Sequence, residues 1–391
     1  MPSEELTIYG QCDPRFAAVR QRFADNFREL GEIGAAVSIH VAGQRVVDLW
    51  AGLADRAERK PWTERTLVNV YSTTKGLAAL CIQRLIDQRQ LDPAAKVADY
   101  WPEFAAAGKA EITLHDLLGH RAGMAALRTK LPHAALYDHA LIARELAAQE
   151  PFWQPGTQHG YHAQTFGFLL GELVRRVTGQ SLGRYLREEI AGPLDADVHI
   201  GLSPENDERV AKVTRPLGEA TPAGEVDLMR VWKLEPESLT ALAFNNPAPQ
   251  PGAIQTRAYR GAEIPSSNGH ATALGLSRIY SALASRDDAR EARVLSAEGV
   301  ARCYQEHSNG PDLVLRVPTR FGPGFHLSQS SGSGRFGPNP RSFGHPGMGG
   351  SVAFADPDAE IGFGYVMNRA GANILIGERP RRLIDALYDC I

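Results

Sequence analysis

Apolar residues recur at helical spacing between residues 15 and 30, with Phe16, Val19, Phe23, Phe27 and Leu30 on one side. The spacing predicts an amphipathic helix laid on something flat. Residues 35–41 and 45–51 are apolar, β-branched runs joined by Ala42-Gly43-Gln44, and they predict a hairpin whose second strand continues to Asp55. After a polar loop comes the apolar extended run Leu67-Val68-Asn69-Val70-Tyr71. Residues 76–86 then repeat apolar side chains at helical spacing with almost no charge, as a buried helix does.

From 97 to 179 the pattern is mostly helical, with a capped short helix at 113–118, a longer one at 137–150 and a third at 163–178 ending on Gly179. A fourth opens at Ser181 and stops before Gly192-Pro193. Residues 203–265 are rich in Pro, Gly and charge with little periodicity, which predicts long loops over a surface, the usual rims of a site. Helices resume at 271–284 and 296–304. Strand-like runs follow at 321–327, 351–355 and 361–367, before a terminal helix over 379–388. These elements predict an α/β protein of the α+β type, with one antiparallel sheet assembled from both chain ends and helices on its faces. The expected sheet domain takes residues 1–95 and 265–391, and the mostly helical inserted domain takes 96–264.

Composition narrows the function. The 391 residues carry a net charge of −3, and Arg379-Pro380-Arg381-Arg382 is the densest basic run, which argues against nucleic acid or an anionic membrane as partner. Small neutral molecules fit better. The first six residues, Met-Pro-Ser-Glu-Glu-Leu, lack the basic and then apolar run of a signal peptide, and no uncharged apolar run has transmembrane length. Cys12, Cys81, Cys303 and Cys390 are far apart and read as reduced thiols of a cytoplasmic protein. No metal site is expected, since His159 and His162 lack a carboxylate in ligand register. No cofactor is expected either.

The chemistry concentrates at Ser72-Thr73-Thr74-Lys75, where the extended run gives way to the buried helix. Residues three apart on a helix share a face, so the Lys75 amine falls within reach of the Ser72 hydroxyl. Burial lowers a lysine pKa, which makes the pair a nucleophile with its own base. A competing signal, Gly179-Gln180-Ser181-Leu182-Gly183, spells the nucleophile elbow of α/β-hydrolases. That elbow needs a strand before it. Here a helix precedes it, so Gly179 reads as a C-cap and Ser181 as the N-cap of the next helix.

Four stretches occur in an order seen in serine β-lactamase-like proteins: Ser72-Thr73-Thr74-Lys75, then Leu117-Leu118-Gly119-His120-Arg121-Ala122-Gly123-Met124, then Pro155-Gly156-Thr157-Gln158-His159-Gly160-Tyr161-His162-Ala163, then Gly344-His345-Pro346-Gly347-Met348-Gly349-Gly350-Ser351. Over about residues 15–390 the chain resembles the penicillin-binding, class C-like branch and, within it, the family VIII carboxylesterases. The resemblance implies Ser72 as nucleophile, Lys75 as its lysine, and Tyr161 as a phenol of lowered pKa relaying a proton to the leaving group. It implies that His345-Pro346-Gly347 lies on an edge strand, with Gly347 passing close to the serine. The Met348 and Ser72 amides would then form the oxyanion hole.

Two positions depart from the β-lactamase pattern. Ala163 stands where an asparagine binds the substrate's amide, and His345, mostly neutral near pH 7, stands where a lysine attracts a carboxylate. Both substrate-contacting positions therefore favour small, short-chain esters, unless Arg257 or Arg260 of the long loop supplies the missing cation. A β-lactamase, a D-amino-acid peptidase or an acyltransferase would share the same Ser-Lys-Tyr machinery. A non-catalytic binding or scaffold protein would have no reason to keep all three residues.

Overall fold

A computed structural model describes residues 6–214, 221, 225–285 and 294–391. Its centre is an antiparallel sheet whose strands run in the order Ile8–Cys12, Gln44–Asp55, Gly34–Val41, Ile361–Met367, Val352–Asp356, Phe343–Pro346, His326–Leu327, Pro318–Phe321 and Ser308–Pro311. The N-terminal hairpin pairs directly with the last strand, Val37 opposite Tyr365 and Ile39 opposite Phe363. Both ends of the chain thus build one sheet, as the pattern predicts.

Both faces of that sheet are covered, so its central strands are apolar on both sides rather than alternating. Ile361–Met367 is buried along its whole length. On one face the helices Ala17–Glu29 and Glu378–Tyr388 pack through Val19, Phe23, Leu383 and Leu387 onto Val37, Leu49 and Phe363. On the other lie Ala273–Ala284 and Thr73–Asp87. The first of these sits so close that a Cβ at Gly362 would fall 2.2 Å from the Ser281 nitrogen, which explains glycines inside that strand.

A second apolar cluster ties Thr73–Asp87 to the helical middle through Leu77, Leu80, Phe166, Leu170 and Leu186. There the helices Leu114–Leu118, His139–Ala148 and Thr165–Thr178 form near their predicted places. Gly179 ends the last of them at φ +72°. Ser181 then caps Leu182–Leu186, and its hydroxyl donates to Glu263 at 2.6 Å.

Several expectations are corrected. The run 321–327 is two strands rather than one, because Gly322-Pro323-Gly324 breaks it between Phe321 and His326. Phe343–Pro346 is an interior strand flanked by His326–Leu327 and Val352–Asp356, not an edge. Residues 203–265 are not all loop: Leu228–Leu234, Leu239–Asn245 and Arg257–Gly261 are helical, each started by an Asp, Ser or Thr cap. Residues 215–220 and 222–224 of that segment lie outside the described residues. Val68–Asn69 falls in the predicted extended run, but its partners in a small sheet, His270–Ala271 and Val198–His199, and the strand Ile8–Cys12 are not announced by the pattern.

Candidate active site

Ser72 sits on a sharp turn between Val68–Asn69 and the helix Thr73–Asp87. Tyr71 takes φ +46°, a left-handed conformation that is strained for an aromatic residue, and the Asn69 side chain holds it by accepting the Tyr71 N–H at 2.9 Å. Thr74 bonds back to the Tyr71 carbonyl and accepts the Gly269 N–H. Although Ser72 occupies the cap position, its side chain makes no capping bond. The hydroxyl instead lies 3.2 Å from Lys75 Nζ.

Lys75 is fully buried. Its Nζ also donates to the Ser266 carbonyl at 2.9 Å and stands 4.7 Å from the centroid of the Tyr161 ring. Desolvation alone drives its pKa well below the ordinary lysine value. Burial thus shifts Lys75 toward the amine form, which can accept the Ser72 proton.

Tyr161 is carried on irregular backbone stitched to the His120 segment. Gly160 N–H donates to the His120 carbonyl, the His162 N–H to His120 Nδ1, and the Met124 N–H to His162 Nε2. The phenol meets the Ser72 hydroxyl, so the sequence-predicted trio comes together. The lowered pKa expected for Tyr161 is overturned. Burial, the dominant influence, raises it, a hydrogen bond with Ser72 only partly offsets this, and the Asp312 carboxylate adds to the rise. Burial thus favours the neutral phenol at Tyr161.

His345 is buried, with its Nδ1 proton given to the Pro346 carbonyl at 2.7 Å and its ring 6.0 Å from that of Tyr161. Burial, the dominant influence, pushes its pKa well below the ordinary histidine value and holds it neutral. At Gly347 an added Cβ would lie 2.3 Å from the Val70 carbonyl oxygen, so only glycine lets this strand end approach the Ser72 turn. Its N–H is committed to the Ser351 carbonyl at 2.6 Å. A Gly347→Ala variant is expected to lose about 1–3 kcal/mol of stability together with turnover; thermal unfolding and ester kinetics check both.

Ala163 and Met348 belong to or border a separate apolar cluster around Tyr161, with Trp153, Leu228, Phe244, Val314, Phe321 and Leu375. Arg257 and Arg260 do not supply a cation. Both are paired with Asp207, at 2.5 and 2.9 Å. Sequence reasoning did not find Ser266, whose carbonyl orients Lys75, nor the buried imidazoles of His120, His162 and His326 that ring the lysine. His120 lies inside a motif the sequence displays; His326 has no local signal. Among the described residues no cluster of His, Cys, Asp or Glu is arranged to hold a metal, and no helix is long and apolar enough to cross a membrane.

Comparison with known proteins agrees with this geometry. The Beta-lactamase family model matches residues 23–387. The chain is 38% identical over 380 residues to the esterase/beta-lactamase LipL of Mycobacterium tuberculosis, covering 94% of this chain and 84% of that protein. Among solved structures it resembles a family VIII carboxylesterase, with a TM-score of 0.90 and 41% identity over 98% of this chain and 100% of that one. It also resembles a penicillin-binding protein homologue from Caulobacter crescentus, with a TM-score of 0.88 and 40% identity over 98% and 100% of the two chains. With a matching domain over nearly its whole length and a Ser-Lys-Tyr trio assembled inside it, the chain belongs to the beta-lactamase family.

Proposed function

We propose that the protein is a serine hydrolase of the carboxylesterase type, cleaving small, short-chain esters through an acyl-enzyme on Ser72. The observation that carries this is the 3.2 Å contact between Ser72 Oγ and the amine of a lysine buried on all sides. Ser72 attacks the ester carbonyl as its proton passes to Lys75. The Tyr161 phenol gives a proton to the departing alkoxide and regains one from the lysine. The Ser72 and Met348 amides hold the oxyanion. Water then attacks the acyl group, the same groups return the protons, and the carboxylic acid leaves. No step needs a cofactor, nucleic acid or membrane. The four free cysteines support a cytoplasmic location.

The substrate class follows from the walls of the site. Around Tyr161 and Ala163 they are apolar, His345 is neutral, and Arg257 and Arg260 are tied to Asp207. An anionic β-lactam finds Ala163 in place of its amide-binding asparagine and, among the described residues, no free cation at His345, Arg257 or Arg260. Each missing charge-assisted contact costs about 1.5–3 kcal/mol, or about one to two orders of magnitude in kcat/KM. Neutral p-nitrophenyl esters of short acids are therefore expected to exceed a chromogenic cephalosporin by about a hundredfold or more in kcat/KM. Equal values for the two substrates would defeat the assignment in favour of a β-lactamase.

A further inference from the structure

The segment bearing Tyr161 has neither helix nor strand to fix it. One side leans on His120. The other leans on the tip of the hairpin formed by Ser308–Pro311 and Pro318–Phe321, where the Leu313 N–H donates to the His159 carbonyl and the Tyr161 N–H donates to Asp312 Oδ1 at 3.1 Å. That one oxygen also accepts the Val314 and Leu315 N–H groups, each at 2.8 Å. Asp312 Oδ2 accepts the Thr319 hydroxyl at 3.2 Å, and Thr319 in turn meets His159 Nε2 at 2.9 Å.

Asp312 is buried, yet its partners in these bonds are amides and a hydroxyl rather than a cation. The neighbouring Arg316 faces Glu235 and Thr240 instead. His159 is the titratable group facing it, through Thr319, and burial lowers its pKa and favours the neutral ring, with Arg121 beyond it. A carboxylate buried without a cation is costly, and a local turn needs only the Val314 and Leu315 bonds. The bond to Tyr161, 151 residues away, is the one that reaches the site.

We propose that Asp312 is a positioning residue for the reaction: its Oδ1 fixes the Tyr161 backbone and so sets where the phenol lies relative to Ser72 and Lys75. The inference rests on Tyr161 acting in proton transfer. It assigns the effect to the position of an acceptor oxygen rather than to charge. Asparagine retains that oxygen, and its amide can face Thr319, whose hydroxyl can reverse its bond once His159 changes tautomer.

The test is a double-mutant cycle on ester turnover with thermal unfolding measured alongside. Asp312→Asn is expected to keep kcat within about threefold of the parent, and Asp312→Ala to lose about tenfold or more in kcat with KM little changed. Added to Tyr161→Phe, Asp312→Ala should cost nothing further, because the phenol it positions is already gone. Should Asp312→Ala not fold, Asp312→Glu, which keeps the charge but displaces the oxygen, replaces it in the cycle with the same expectation. Losses that add in the double variant, or an Asp312→Asn variant as slow as Asp312→Ala, overturn the inference while leaving the Tyr161 reading intact. A Tyr161→Phe variant with the parent's kcat overturns both.

Discussion

Ser72→Ala is expected to lose ester turnover by about four orders of magnitude or more while unfolding near the parent's temperature. The side chain removed caps nothing. Its hydroxyl meets Lys75 and Tyr161, so its loss subtracts chemistry rather than packing. A fluorophosphonate should add one adduct to the parent enzyme, on Ser72, and none to the variant. The competing serine is placed against this role. Ser181 accepts the Arg184 N–H as a helix cap and gives its own proton to Glu263, and it follows a left-handed Gly179 where an elbow would need a strand. An adduct mapped to Ser181 would remove Ser72 from the mechanism.

The chain discloses this serine because its signal is local. Four residues of spacing and ten of apolar helix suffice to put a hydroxyl beside a buried amine, and the structure keeps that geometry. The same holds for the hairpin at Ala42-Gly43-Gln44 and for the capped helices, whose determinants lie within a turn or two. What the sequence hides is assembled from distant pieces. Ser266 reaches Lys75 across 191 positions, and Asp312 reaches Tyr161 across 151. Neither residue carries a pattern that announces its partner.

Two expectations drawn from the resemblance fail for physical reasons. The resemblance puts His345-Pro346-Gly347 on an edge strand, but His326–Leu327 and, beyond it, Pro318–Phe321 extend the sheet past it, and both are too short and too interrupted by glycine and proline to show a period of two. The Tyr161 pKa was expected to fall from proximity to a lysine. Proximity lowers a phenol's pKa only if the lysine is charged, and here burial favours the neutral form of both partners.

That shared burial gives the lysine prediction its sign. Lys75→Met should cost about two to four orders of magnitude in kcat, the usual worth of a positioned proton-transfer group. It should nonetheless yield a more stable protein. In the unfolded chain Lys75 titrates near its ordinary value of 10.5, while in the folded protein desolvation puts the pKa well below that. Between the two values the unfolded state binds more protons, so stability rises with pH across that window. Below the folded pKa the lysine's cost is at its full value. Above 10.5 it vanishes. An apolar methionine of similar length carries no such cost, so the variant's unfolding temperature should exceed the parent's near pH 7, with the gap narrowing as pH approaches 10. The parent's own kcat/KM should fall in acid as the amine gains a proton and can no longer accept one from Ser72. Because the variant is the better folded of the two, its inactivity would have no explanation in stability. A Lys75→Met protein that unfolds earlier than the parent across this range would mean that the lysine is charged and paired in the native state, and the base would have to be sought elsewhere.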